Sequence, residues 1–370
     1  MEKIKVLYTI PNFDTAGSGK ALLQLALRLD PEKFEAHIAC MHNRGSFFKT
    51  VVDSGIPVHI IPYTTPMKPY IKGLKACYAI SKQLKTIAPD VIHSFHYASD
   101  YSEALAAKFA GIPWIYTKKN MSWGGGSKNA WKLRSYLARA IAVQNTDMQT
   151  VFFKDATKTL LIPRGVDTNL YQPQSPKDEL GTQWNLQPSD RIVMCVANLV
   201  PVKGIEVLLQ AFKKAQQLHP NWKLMLVGDC NHTYGERMQL LAKNLELDDV
   251  VVFCGKQQEV SAYLSIAELV VLPTLDKGEG SPVALLEAMS SGKTVLGSRV
   301  PGIKDQLADF SKYLVTAGDV NAWETALKQQ FAQDGTQLKK QGMVFRTHVC
   351  NHYTLEKEVA LTEHLYLNYI

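Results

Sequence analysis

At 370 residues the chain is long enough for two domains, each with its own core, and its composition is ordinary for a globular protein, with 46% hydrophobic and 20% charged residues. No apolar run approaches the length of a membrane span, the first residues are too briefly apolar for a secretory leader, and the six cysteines form no C-x-x-C pair, so a spanning helix, a zinc ribbon and a disulfide framework are all excluded as expectations. The net charge of +7 is unevenly placed: Lys and Arg outnumber Asp and Glu by 22 to 11 through Arg164 and fall short, 19 to 23, beyond it, which points to an anionic partner for the first half.

Residues 4–10 read as a first strand, followed by a loop, 11–19, and an apolar-periodic helix over 20–29. Gly17, Ser18 and Gly19 give that loop a phosphate-cradle layout. It is no P-loop, because Asp14 stands where that motif needs Gly and Ala21 where it needs Ser or Thr. Strands near 34–41, 57–61 and 90–94 alternate with helical segments in the rhythm of an open parallel sheet. The helix near 69–86 carries Lys68, Lys72, Lys75 and Lys82 on one side and Ile71, Leu74, Tyr78 and Leu84 on another. Two readings fit it equally: an anionic membrane surface, or a core-facing stripe with solvated lysines. His96 lies just beyond the carboxyl end of a strand, where such sheets bind ligands, and nearer that edge than His93. A glycine joint at 124–126 precedes a basic, aromatic helix with Trp131, Tyr136, Lys128, Lys132, Arg134 and Arg139, a second membrane-surface candidate. No motif supports nucleic acid as a partner.

Strands near 140–143 and 159–163 close the first sheet, and the Pro-, Gln- and Ser-rich stretch 172–188 reads as linker. A second series starts at Arg191. Strand 192–199 leads through a tight turn holding Lys203 and Gly204 into a helix over 205–218; strand 224–227 ends in Gly228; and 250–253 is followed by Gly255. The apolar run 268–274 reads as a buried parallel strand. The stretch 278–288 after it is a Gly-rich loop and a helix, with Ser281 as cap, Pro282 at the first helical position and Gly292 as the stop. A helix start there offers backbone N–H groups to a phosphate. Glu279 and Glu287 beside it suit a ligand that carries hydroxyls as well as phosphates.

Glu279 and Glu287, with Gly280 and Pro282 between them, resemble the E-x7-E signature of the retaining glycosyltransferases of family 4, and further resemblances run along the chain: Gly17 and Gly19 in the first loop, the segment 162–167 (Ile-Pro-Arg-Gly-Val-Asp), Lys203-Gly204, and Gly228-Asp229. The resemblance implies the α/β GT-B fold, two Rossmann-like parallel-sheet domains facing a central cleft: an acceptor-binding domain over 1–167, a nucleotide-sugar-binding domain over 168–350, and a helix over 351–370 returning to the first. It implies a hexosyl transferase that retains anomeric configuration, needs no metal or other cofactor, and takes a nucleotide-diphosphate sugar to a glycan or glycolipid in polysaccharide, lipopolysaccharide or glycolipid synthesis. His96, Lys203 and Glu279 would be catalytic: His96 orienting sugar or acceptor, Lys203 neutralising the diphosphate, Glu279 holding sugar hydroxyls. Gly17, Ser18, Gly19, Asn198, Gly228, Gly255, Gly280, Ser281, Pro282 and Glu287 would complete the donor site, with Glu287 on the ribose diol. Asn198 stands where the family has Arg, Arg164 where it has Asn, and Lys118-Lys119-Asn120 where it often has His. No Asp-x-Asp occurs to hold a metal. A cytoplasmic enzyme at an anionic membrane face fits the basic first half. The competing readings are another GT-B enzyme such as an epimerase, a non-catalytic sugar-binding protein, and a dinucleotide dehydrogenase, the last opposed by Leu22 at the third glycine position.

Overall fold

The computed structural model describes residues 2–369 except 15, 123–126, 154–155 and 277–278; the expected glycine joint and Gly278 therefore lie outside the described residues. The chain forms two units, Met1–Pro163 with Leu355–Ile370, and Arg164–Thr354.

The first unit holds a seven-stranded sheet: β1 (Ile4–Ile10), β2 (Phe34–Cys40), β3 (Val58–Ile60), β4 (Val91–Ser94), β5 (Trp114–Lys118), β6 (Ala140–Val143) and β7 (Thr159–Leu161), in the order β3-β2-β1-β4-β5-β6-β7. Every pairing is parallel. The strands are apolar runs because both faces are covered. Successive β1 residues feed opposite cores, Val6, Tyr8 and Ile10 one and Leu7 the other. The last helix, Leu355–Tyr369, buries Val359, Leu365 and Tyr366 in the first of these cores. Tyr366 donates to the Tyr8 hydroxyl at 3.0 Å and meets His93 Nδ1 at 2.7 Å.

The second unit holds six parallel strands, β8 (Arg191–Val196), β9 (Trp222–Val227), β10 (Val251–Gly255), β11 (Leu269–Leu272), β12 (Thr294–Ser298) and β13 (Leu314–Val315), in the order β10-β9-β8-β11-β12-β13. Trp222 stacks on Phe331 at 4.2 Å, and the Arg191 guanidinium lies 4.3 Å over the same indole.

Two local expectations are corrected. The first helix spans Ala16–Ala26, so Gly17, Ser18 and Gly19 are its first turn rather than a loop before it. Poor intrinsic propensity gives way there to packing, since a Cβ on Gly19 would stand 2.7 Å from the Phe13 ring. The helix Tyr70–Ile87 buries Gly73, Cys77, Ile80, Ser81 and Leu84, leaving Ile71, Leu74 and Tyr78 exposed. Gly73 sets that face, because a Cβ there would meet the Met67 backbone at 2.8 Å. In the helix Lys128–Leu137, Trp131 and Arg134 point inward, while Lys128, Lys132, Leu133 and Tyr136 are exposed. Among the described residues no helix is long and apolar enough to cross a membrane.

Candidate active site

In each sheet the strand order reverses once, between β1 and β4 and between β8 and β11. Chains leaving the carboxyl ends of such neighbours depart to opposite faces and open a crevice between them. The expected site residues fall in the segments that follow these strands. Gly17, Ser18 and Gly19 follow β1, and His96 follows β4; Lys203 follows β8, and Glu279 follows β11.

The second unit brings its pair into contact. Lys203 ends a single 3-10 turn, Pro201–Lys203, and its ammonium donates to Glu279 Oε1. The Thr274 hydroxyl, fully buried, donates to the same oxygen at 3.1 Å. Both bonds fall on Oε1, which leaves Oε2 for a ligand. Glu279 is 7% exposed, and a carboxylate that far from water is tolerable because a cation and a hydroxyl meet it. Gly204 makes the approach possible: its φ is +66°, and a Cβ would lie 2.0 Å from the Pro273 carbonyl. Leu275 N–H then donates to Val202 O at 2.8 Å, tying the loop after β11 to the turn after β8.

The helix Val283–Ser290 starts one residue later than expected, with Pro282 as its N-cap and no side chain capping it. Ser281 is not the cap. Its hydroxyl instead meets Gln306 Nε2 at 3.1 Å and Arg164 N at 3.4 Å, which fastens the loop to the segment that opens this unit. Lacking a side-chain cap, the first turn keeps backbone N–H groups for an anion. Gly280 and Pro282 are buried beneath this start. Glu287, one turn along, is half-buried and bonded to the Tyr171 phenol, whose ionisation burial and that carboxylate oppose. The remaining positions line the same strand ends. Gly228 N–H donates to Gly255 O at 2.9 Å, and Asn198 is exposed directly after β8.

The first unit builds its edge differently. Ser18 bonds the Tyr97 hydroxyl, joining the helix after β1 to the loop after β4. Lys119 donates to Phe95 O at 2.7 Å and lies 4.4 Å over the Tyr97 ring, clamping the segment that carries His96. Arg134, fully buried, donates to Ser94 Oγ at 3.3 Å and to His96 O at 3.4 Å, while Glu103 accepts from the Thr9 and Ser94 hydroxyls. Burial, helped by the Arg134 charge, pushes His96 down to about 4, so its imidazole is neutral near pH 7. His93 is a different kind of residue. Its Nδ1 donates to Tyr366, its Nε2 accepts from Thr117 at 2.8 Å, and burial pushes it down to about 3. Lys118 is also interior, with its ammonium on Asn120 O at 2.6 Å and Asn120 Oδ1 at 2.9 Å.

Thr274, Tyr171, Tyr97 and Arg134 were not singled out from the sequence as site residues. Thr274 alone left a signal, a polar residue ending an apolar strand five positions before Glu279.

Residues 15–170 match the model for glycosyltransferase family 4, and residues 176–341 match that for glycosyl transferases group 1. The chain belongs to the family 4 glycosyltransferases. It is 23% identical over 392 residues to the UDP-Gal:alpha-D-GlcNAc-diphosphoundecaprenol alpha-1,3-galactosyltransferase of Escherichia coli, covering 100% of this chain and 98% of that one. It is 30% identical over 224 residues to the N-acetyl-alpha-D-glucosaminyl L-malate synthase of Bacillus anthracis, covering 60% and 54%. Among solved structures, a glycosyltransferase from Rickettsia africae superposes with a TM-score of 0.87 at 17% identity, over 100% of this chain and 99% of that one. Anabaena HepE, solved with UDP and glucose, superposes with a TM-score of 0.81 at 20% identity, over 99% and 100%. These likenesses place the two-sheet architecture in the GT-B fold.

Proposed function

We propose that the chain transfers a hexose from a uridine-diphosphate sugar to a lipid-linked glycan, with retention of configuration and without a metal. The observation that carries this reading is the cluster after β8 and β11. An ammonium, a buried carboxylate and a side-chain-uncapped helix start share one strand edge, as a sugar diphosphate requires. The relatives support the substrates: one is named for UDP-galactose and a diphosphoundecaprenol-linked sugar, and HepE was solved with UDP and glucose.

Lys203 and the N–H groups of the Val283–Ser290 helix take up charge on the departing diphosphate. Losing one fixed donor of this kind typically costs about 10²–10³ in rate. Glu279 Oε2 holds a sugar hydroxyl, and Glu287 holds the ribose diol. His96, being neutral, serves as a hydrogen-bonding partner for sugar or acceptor and not as a proton donor. Because the leaving diphosphate and the incoming hydroxyl share one face of the sugar in retention, the departing phosphate oxygen takes the acceptor's proton as the glycosidic bond forms, and the donors that stabilise the diphosphate hold that oxygen in place. Asn198, in place of the family's Arg, offers hydrogen bonds but no charge, which leaves Lys203 the main cation at this edge.

The test is incubation of purified protein with a panel of nucleotide-diphosphate sugars and a polyprenyl-diphosphate-linked sugar, followed by NMR of the product. Transfer from a UDP-sugar giving an α-linkage, insensitive to EDTA, is expected. Interconversion of sugars without acceptor, or binding without turnover of any donor, overturns the reading in favour of an epimerase or a binding protein.

A further inference from the structure

We propose that the outer face of the helix Tyr70–Ile87 is a docking surface for an anionic lipid bilayer. This helix already satisfies the core through Gly73, Cys77, Ile80, Ser81 and Leu84, against the helix Ser102–Ala110. Its other apolar side chains are left in water: Tyr70 is 59% exposed, Ile71 73%, Leu74 44% and Tyr78 57%. They recur at spacings of three and four, so they form one continuous strip beside the buried face. Isolated exposed apolar residues need no explanation, but four on one helix form a patch.

Beside the strip stand Lys72, Lys75 and Lys82, with Lys68 just before the first turn, all exposed. None of the four is ion-paired among the described residues, and the helix itself contains no Asp or Glu. Lys82 lies 5.0 Å over the Tyr78 ring, its stem along the aromatic and its charge at the rim. An apolar strip bordered by cations is the pattern that lies in the headgroup layer, with side chains among acyl chains and ammonium groups on lipid phosphates. Charge also chooses among occupants. The half of the chain carrying this helix has 22 basic and 11 acidic residues through Arg164, so a second copy would bring like charge to like charge. Nucleic acid would use the lysines but leave the aliphatic side chains wet.

The surface is separate from the groups assigned to donor chemistry, so its failure and theirs are distinguishable. The experiment is co-sedimentation of the full chain, without donor or acceptor, with phosphatidylcholine vesicles and with vesicles containing phosphatidylglycerol. The chain should pellet with the anionic vesicles at low salt, and added salt should release it. Lys72→Glu/Lys75→Glu should weaken partitioning by roughly fivefold or more per lysine. Ile71→Ser/Leu74→Ser/Tyr78→Ser should weaken it further while leaving the melting temperature and UDP affinity unchanged, because these side chains are not in the core. Absence of binding at low salt overturns the proposal. So does wild-type partitioning by both variants, or a dimer in sedimentation equilibrium that the apolar variant alone dissociates.

Discussion

Removing the Lys203 ammonium separates the two charges that meet after β8 and β11, and its effects can be worked through. In Lys203→Ala, Glu279 keeps only the Thr274 hydroxyl while remaining 7% exposed. Breaking one half of a fully buried pair costs about 3–5 kcal/mol. The Lys203 side chain is 21% exposed and the hydroxyl persists, so about 1–3 kcal/mol is the reasonable expectation here. For a unit of this size that is a fall of roughly 2–4 °C in melting temperature per kcal/mol. Affinity for UDP should also drop. One charge-assisted hydrogen bond is worth about 1.5–3 kcal/mol, roughly 10- to 150-fold in Kd. A single variant cannot say whether that loss reflects the missing cation or the bare carboxylate left to repel the diphosphate. Lys203→Ala/Glu279→Gln removes the repulsion and should regain most of the lost stability. If Lys203 contacts the diphosphate, calorimetry should show UDP binding still weakened in the double variant and uridine binding unaffected in both. Full recovery of UDP affinity in the double variant would refute the reasoning, because Lys203 would then serve only to neutralise Glu279.

Glu287→Gln should weaken UDP and uridine alike by about tenfold or more while leaving secondary structure intact, since it removes a charged acceptor for the ribose; equal affinity in calorimetry counts against that role. Tyr171→Phe, which removes the phenol bonded to Glu287, should cost about 1 kcal/mol in urea unfolding and less in affinity than Glu287→Gln. Gly228→Ala should prevent proper folding of the second unit, because its Cβ would stand 1.8 Å from Ala197 O; Gly255→Ala meets open space and should cost only about 1–3 kcal/mol for a φ of +69°. Acid should weaken the first unit in a defined window. His93 and His96 are held neutral in the fold, near 3 and 4, so between about pH 6.5 and those values the unfolded chain binds protons that the native chain refuses. Stability should therefore fall by about 2 kcal/mol per histidine from pH 7 to pH 5, and His96→Asn should remove one share of that slope in urea titrations.

The strands were readable because a parallel sheet covered on both faces leaves continuous apolar runs, such as 269–272 and 192–195, that no other local structure explains as well. The site loops were readable because their glycines and charges are local: Lys203 with Gly204, Glu279 with Gly280. Helix starts were less so. Gly17 and Gly19 argue for a loop by propensity, and only the close approach to Phe13 shows why the first turn is helical. The orientation of the helix Tyr70–Ile87 was undecidable from period alone. Ile71, Leu74 and Tyr78 repeat at helical spacing, and so do Cys77, Ile80 and Leu84; packing through Gly73 chooses between the two sets. Partners distant in sequence left no trace. Glu287 meets Tyr171, and Arg134 reaches the His96 carbonyl, through contacts that only the folded chain defines.

The two sheets share one geometric device, a single reversal of strand order, and the polar residues beside it differ between them. A strand-order reversal frees the loops on either side of it from packing against the same helix layer and opens a crevice at the strand ends. His93 is inside β4, fully hydrogen-bonded and locked by Tyr366 and Thr117; His96, past the strand end, has its carbonyl held by Arg134 and its ring unbonded at Nδ1. After β11 both Thr274 and Glu279 are buried, and the bonds from Thr274 and Lys203 fall on one oxygen of the carboxylate, Oε1. The edges differ in what they leave unspent. After β8 and β11 a cation, a carboxylate and helix N–H groups suit a substrate with both phosphates and hydroxyls. After β1 and β4, Ser18, Tyr97 and a neutral imidazole suit hydroxyls alone. That difference in chemistry supports the proposal of a donor on the second unit and an acceptor on the first.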